Sequence, residues 1–267
     1  MNFLTEMFQN PLEFSTLNVY RSALSAYHPE IDGFKVGQHP LVKELMKGAF
    51  NTRPPQPKYT ETWDVNKVLD FITQMGANDI LDQSSLTQKL AMLMGLVSAG
   101  RSKELCSLDL RYMMDFGSHV KFMLGKPTKT KKMTTNLGSV VFRKYPDDQL
   151  DVVACLKRYI QITEPLRKSE SQKQQLFIAC VKPHKPVAPC TIARWLKTLM
   201  GLAGIDVTKF SGHSVRSAST SKAKRCGLST PQVLERANWS NAGTFHKFYY
   251  RELSDDFQQK VLDKMAR

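Results

Sequence analysis

Two arginines, a histidine and a tyrosine, met along the chain as Arg101, His213, Arg216 and Tyr249, are side chains that together can break a phosphodiester without a metal. Such a displacement passes through a crowded intermediate with negative charge spread over the phosphate oxygens. Fixed guanidinium groups aimed at those oxygens stabilise it more than the ground state. Arginine suits the task because its planar fork gives two bonds to one phosphate and never loses its proton. A tyrosine hydroxyl, with an ordinary pKa of ~10, is a weak nucleophile that needs a base and positive charge around it. A neutral histidine, with a pKa near ~6.5, accepts that proton at physiological pH. His213 and Arg216 stand three apart on a predicted helix and so share a face. Glu104 follows Arg101 by one helical turn and is placed to orient it. Two ambiguities stay open at this level: Tyr250 adjoins Tyr249, and His246 lies one turn before it. Each residue alone would pass for an ordinary surface group of a basic protein.

The elements expected to carry these residues follow from local pattern. Helices are predicted over 64–75 and 85–99, the second opened by a Ser85 to Gln88 capping box. Arg101 then starts a short helix. Strands are expected at 120–124 and 139–143, with a lysine-rich turn between them, and at 176–179. Asp147 or Asp148 caps a helix carrying Val153, Leu156 and Ile160. Further helices cover 191–203, 214–226 (stopped by Gly227), and 230–236 with Pro231 at its first position. The last two span 242–250 and 254–265, the latter with Ser254 as N-cap and a stripe of Phe257, Val261, Leu262 and Met265. The fold class is mainly α with a small antiparallel β-sheet, an α+β arrangement. Neither a βαβ alternation nor a Gly-rich phosphate loop occurs, which argues against an ATP-dependent enzyme.

Residues 51–59 contain Pro54, Pro55 and Pro57, which forbid helix and favour an extended linker. Ahead of it, residues 14–27 place Leu17, Tyr20 and Leu24 on one helical face, and residues 40–50 form a second helix. The chain thus divides into a helical unit over 1–51, a linker over 52–60 and a larger domain over 61–267.

The 267 residues suffice for a sizeable core, and 42% hydrophobic with 23% charged residues is the composition of a soluble globular protein. Lys and Arg number 38 against 24 Asp and Glu, a formal charge of +14, which points to an anionic partner. No apolar run approaches the ~20 residues of a membrane helix, so no membrane is expected. The N-terminus also lacks the basic start and apolar stretch of a signal peptide. Five scattered cysteines without a Cys-x-x-Cys pair indicate reduced thiols rather than a disulfide framework or a zinc site.

Each reactive residue sits inside a longer segment: Ala99-Gly100-Arg101-Ser102-Lys103-Glu104-Leu105, Gly212-His213-Ser214-Val215-Arg216, Asn238-Trp239-Ser240, and Phe248-Tyr249-Tyr250-Arg251. In this order, and in the intervals from Arg216 to Trp239 and on to Tyr249, they resemble the tyrosine recombinase (phage integrase) family. The wording after His213 and after Trp239 is closest to recombinases carried by retrotransposons of the DIRS type. The resemblance runs over roughly residues 14 to 251.

The resemblance implies that Tyr249 forms a 3′-phosphotyrosyl bond with double-stranded DNA, that Arg101 and Arg216 hold the phosphate, and that no cofactor or metal takes part. It also implies a role for Trp239, whose indole N–H donates to the phosphate where many members carry a second histidine. The family's general acid is a lysine in the turn between the second and third strands. Lys126 matches that turn best, while Lys129, Lys131 and Lys132 crowd it and equally suit DNA contact. Residues 1–51 resemble part of the family's helical core-binding domain, inside which the chain is expected to begin. A dimer or tetramer assembled on DNA is implied, with nuclear localisation for a eukaryotic mobile element and cytoplasmic localisation otherwise. Two other readings share these residues. A type IB topoisomerase lacks sequence support, and a non-catalytic DNA-binding relic is disfavoured because every reactive residue type is present.

Overall fold

A computed structural model of the chain describes residues 2–55, 61–124 and 138–237 together with Gly243 and Phe245. The chain forms two compact units, Met1–Tyr59 and Thr60–Arg267. The first contains α1 (Asn2–Gln9), α2 (Phe14–Tyr27) and α3 (Pro40–Thr52). Its core gathers Leu4, Leu17, Val36, Val42, Met46 and Ala49, with Leu24 packed against it. The 3.6-residue period brings Leu17 and Leu24 inward, but Tyr20 stays exposed, its ring edge-on to Phe3 of α1 at 5.8 Å. Helix α1 was not expected from the sequence. Helix α3 also continues through Thr52, one residue into the expected linker.

In the second unit, α4 (Val65–Gln74) starts where the Asp64 carboxylate accepts from the Asn66 N–H, and it buries Val65, Val68 and Ile72. Helix α5 (Gln83–Ser98) is the centre of the unit. It packs against α7 (Val152–Thr163), α9 (Pro189–Leu202), α10 (Ser214–Arg225) and the sheet. Leu86, Leu90, Ala91, Met92, Leu93 and Met94 are all buried, so this helix is covered on every face. Its N-cap is Asp82, which accepts from the Ser85 N–H at 2.7 Å. The expected Ser85 cap is therefore corrected by three positions, because the carboxylate upstream captures the donor first. The cap of α7 is likewise Asp151 rather than Asp147 or Asp148; Asp147 instead accepts from the Gln149 N–H in a preceding turn.

Three antiparallel strands, β1 (Met113–Asp115), β2 (His119–Met123) and β3 (Ser139–Arg143), lie in the order β1-β2-β3. Val120 of β2 faces Phe142 of β3 in register, and both are buried with Phe122. The expected strand at 176–179 is not one. The Leu176 carbonyl is taken by the Arg167 guanidinium at 2.6 Å, and the Ile178 N–H donates to Tyr159 Oη at 3.1 Å. Those ladder positions are thus spent on side chains, leaving isolated bridges from Gln175 to Asp109 and from Ile178 to Pro186. The remaining helices are α6 (Ser102–Cys106), α8 (Glu170–Gln174) and α11 (Thr230–Arg236). Those expected at 242–250 and 254–265 lie outside the described residues, as does most of the expected linker. No described helix is long and apolar enough to cross a membrane.

Burial in the α5–α7 core has a pH consequence. The Cys155 thiol is pushed from 9.0 to about 12, and the Tyr159 hydroxyl from 10.0 to about 12, both chiefly by burial. A group whose folded pKa is raised keeps its proton in the folded state after the unfolded chain has lost it. Its contribution is therefore present below the unfolded pKa and is lost as pH rises toward the folded one. Stability should fall from about pH 9 upward by as much as ~1.4 kcal/mol per pH unit for each such group. Urea unfolding between pH 8 and 10.5 checks this, and Cys155→Val should flatten the decline.

Candidate active site

The site begins where α5 ends. Ser98 Oγ donates to the Met94 carbonyl at 2.6 Å and accepts from the Gly100 N–H at 3.0 Å, closing a tight turn. Ala99 within that turn is left-handed, at φ 48° and ψ 30°, a conformation that costs a residue with a Cβ about 1 kcal/mol or more. The turn delivers Arg101 as the residue capping α6. One turn on, the Glu104 carboxylate accepts from the Arg101 backbone N–H at 2.8 Å and pairs with its Nη1 at 2.7 Å. Backbone and guanidinium of one arginine are thus held by one carboxylate.

Arg216, distant in sequence, lies in the first turn of α10 and is 1% exposed. Its Nη1 donates to the Ala99 carbonyl and its Nη2 to the Ala237 carbonyl, each at 2.5 Å, and Nη1 lies 3.7 Å from Glu104 Oε2. Glu104 therefore stands between two guanidinium groups that are distant in sequence. The carbonyl that receives Arg216 thus belongs to the left-handed residue of the turn, Ala99. Ala99 also packs with Val233, Ala237 and the fully buried Phe245, which in sequence is four residues before Tyr249.

His213 is exposed and directly precedes α10 as its N-cap, with φ −69° and ψ −25°. Helix α10 thus begins at Ser214, as expected, and His213 stands at its N-cap rather than within it. The backbone of His213 is nevertheless helical, and the Arg216 N–H donates to its carbonyl at 3.3 Å. The glycine before it has a steric role: a Cβ on Gly212 would lie 2.4 Å from the Ala193 carbonyl oxygen of α9. Trp63 Nε1 donates to Ser214 Oγ at 2.8 Å, between His213 and Arg216 in sequence. Nothing in the motif pattern singles out Trp63, since its partner lies 151 residues away.

A cavity of about 730 Å³ adjoins this cluster. Its lining includes Glu104 and Ala99, the flanking residues Leu124 and Gly138 of the lysine-rich turn, and Ala237, two residues before Trp239. Arg236 borders it as well, donating to the Val97 and Val141 carbonyls at 2.7 and 2.9 Å. Among the described residues no group of three His, Cys, Asp or Glu side chains is placed to hold a metal ion. The structure thus brings Arg101, Glu104 and Arg216 together, with His213 one turn away along the chain. Tyr249, Tyr250, Trp239, His246, Lys126, Lys129, Lys131 and Lys132 lie outside the described residues.

Because backbone rather than a flexible side chain opposes Gly212, Gly212→Ala should lower the thermal stability of the protein by roughly 1–3 kcal/mol. An unchanged melting temperature would show that α9 gives way without cost.

The model of the phage integrase family matches residues 59–255 of the chain. Among solved structures, a XerH site-specific recombinase bound to its palindromic difH substrate after cleavage aligns at a TM-score of 0.64. It shares 12% identity, with 97% of this chain and 68% of that chain covered. The Tn1549 transposon integrase in complex with circular intermediate DNA aligns at 0.60 with 15% identity, covering 98% and 83%. The XerA recombinase aligns at 0.55 with 16% identity, covering 99% and 90%. At such identities the likeness is one of fold. No curated protein matches the chain. With the family model matched across both arginine segments, the chain belongs to the phage integrase family, the tyrosine recombinases.

Proposed function

We propose that this protein cleaves and rejoins double-stranded DNA in site-specific recombination, through a covalent bond to Tyr249. The observation that carries the reading is the pair of guanidinium groups, Arg101 and Arg216, held on the single carboxylate of Glu104. Preorganised positive charge of this kind stabilises the charge that develops on a phosphate during displacement. A protein with formal charge +14 also attracts the polyanion itself.

In this mechanism the Tyr249 Oη attacks the phosphorus and the bond to the 5′ oxygen breaks. A 3′-phosphotyrosyl link forms and a 5′-hydroxyl leaves. His213 takes the tyrosine proton. A lysine of the strand turn, Lys126 foremost, protonates the leaving alkoxide, while Lys129, Lys131 and Lys132 contact DNA. Trp239 donates its indole N–H to the phosphate. Attack by a 5′-hydroxyl of a partner strand reverses the step, so the bond energy stays in the covalent link and no cofactor is consumed. Residues 1–51 grip the DNA as part of a core-binding domain, and the protein assembles as a dimer or tetramer on DNA. The wording around His213 and Trp239 supports a mobile element of the DIRS retrotransposon type, and with it work in the nucleus. The folded, mutually paired arginine cluster favours an active enzyme over a DNA-binding relic.

Incubation with a nicked substrate that traps the cleaved strand tests the reading. Wild type and Tyr250→Phe should form covalent protein–DNA adducts. Tyr249→Phe should form none while binding DNA with nearly unchanged affinity. Adducts lost in Tyr250→Phe and kept in Tyr249→Phe would move the nucleophile by one residue. Bare mobility shifts without adducts in any variant would favour the relic.

Arg101→Lys keeps the charge but loses the planar fork that both Glu104 and a phosphate use. Cleavage should fall by ~10²-fold or more, a loss of the size seen when one transition-state donor is removed, with a much smaller change in DNA affinity. Equal losses in both would mark Arg101 as a general phosphate contact.

A further inference from the structure

His213 caps α10 and Arg216 lies in its first turn, and this helix start is held by a residue outside every motif. Ser211 to Ser214 form a turn in which the Ser214 N–H and the Ser214 Oγ both donate to the Ser211 carbonyl, at 2.8 and 2.7 Å. His213 sits inside that turn, so its backbone direction is set by whatever fixes Ser214. The single hydroxyl proton of Ser214 is used on Ser211, which leaves its oxygen to accept. Trp63 Nε1 supplies that donor at 2.8 Å, with Trp63 4% and Ser214 3% exposed. A buried indole N–H and a buried hydroxyl satisfy one another here, and either left alone carries the cost of an unpaired polar group.

The bond belongs to a strap formed by residues 61–66. Glu61 pairs with Lys209 just before the turn, and Asn66 Oδ1 accepts from Lys222 of α10 at 2.5 Å. Gly212, just before His213, lies against the α9 backbone. The His213 turn is thereby held by contacts to both α9 and the strap. Packing alone would be met by any large apolar side chain at position 63. The directed N–H to a hydroxyl between His213 and Arg216 is a demand on orientation.

We propose that Trp63 is a positioning residue for strand cleavage, fixing His213 and the first turn of Arg216's helix through Ser214. The proposal rests on the reading of His213 and Arg216 as part of the cleavage site. Single-turnover adduct formation is measured for Trp63→Phe, Ser214→Ala and the double variant. Each single change should slow it about tenfold at unchanged DNA affinity, and the double should be no slower than the slower single, as expected for residues acting through one bond. Losses that multiply, or a Trp63→Phe enzyme that is less stable yet equally fast, would overturn the proposal.

Ser214→Thr keeps the hydroxyl and should recover the rate that Ser214→Ala loses, which covers the case in which Trp63→Phe fails to fold. A threonine variant as slow as alanine would count against the proposal. If wild type forms no adduct, the cleavage reading fails. The coupling is then read from the His213 ring resonances by NMR, which Trp63→Phe and Ser214→Ala should displace alike. Resonances that stay in place in both would reject positioning by Trp63.

Discussion

A guanidinium that is 1% exposed must be answered by its surroundings, and the answer to Arg216 organises the site. Taking a charged group out of water costs several kcal/mol even after relaxation. Hydrogen bonds from a charged donor return about 1.5–3 kcal/mol each when well aligned. Arg216 has two carbonyls at 2.5 Å and a carboxylate at 3.7 Å. Those acceptors come from the end of α5, the end of α11 and the first turn of α6. Their convergence is therefore a condition of burying Arg216, and the candidate site lies where these helix termini meet.

That requirement reaches back into the core. Helix α5 is enclosed on all sides, so its C-terminus is fixed in space, and the left-handed Ala99 turns the chain to present both its own carbonyl and Arg101. The strain at Ala99 is tolerated because Ser98 closes the turn and because Val233, Ala237 and Phe245 pack over it. On the other side the Gly212 contact with α9 and the Trp63 bond to Ser214 set the start of α10. Arginine placement is thus a property of packed helix ends. Preorganised charge of this kind does not have to reorganise during reaction, which is where such sites gain over water.

Two arginines in this chain are buried for different ends. Arg167 donates to the Gln172, Gln175 and Leu176 carbonyls and to Thr163 Oγ1, joining α7, α8 and the extended segment after it. Burial holds its guanidinium below the ordinary arginine value. Among the described residues no carboxylate pairs with it. Arg216 shares the carbonyl-binding habit but adds Glu104, and through it Arg101. The shared carboxylate, rather than burial, is what distinguishes the setting of Arg216 from that of Arg167.

Much of this was legible in the residues themselves. Apolar spacing and Gly or Pro punctuation located α2, α9, α10 and α11 nearly to the residue, because those helices begin or end at local signals. The motif segments identified the family, since spacing along the chain survives when overall identity to solved relatives falls to 12–16%. What failed was local competition. Asp82 and Asp151 captured caps expected elsewhere, and Arg167 and Tyr159 removed the ladder partners that would have made Leu176 part of a strand. Only the tertiary structure decided that Glu104 holds two arginines, that Ala99 and Ala237 lend their carbonyls to Arg216, and that Trp63 meets Ser214. Those contacts join residues from about a hundred to 151 positions apart, or use backbone carbonyls that every residue possesses. Residue type and local period carry no record of which distant carbonyl or indole will meet a side chain, because that choice is made by how the helices pack.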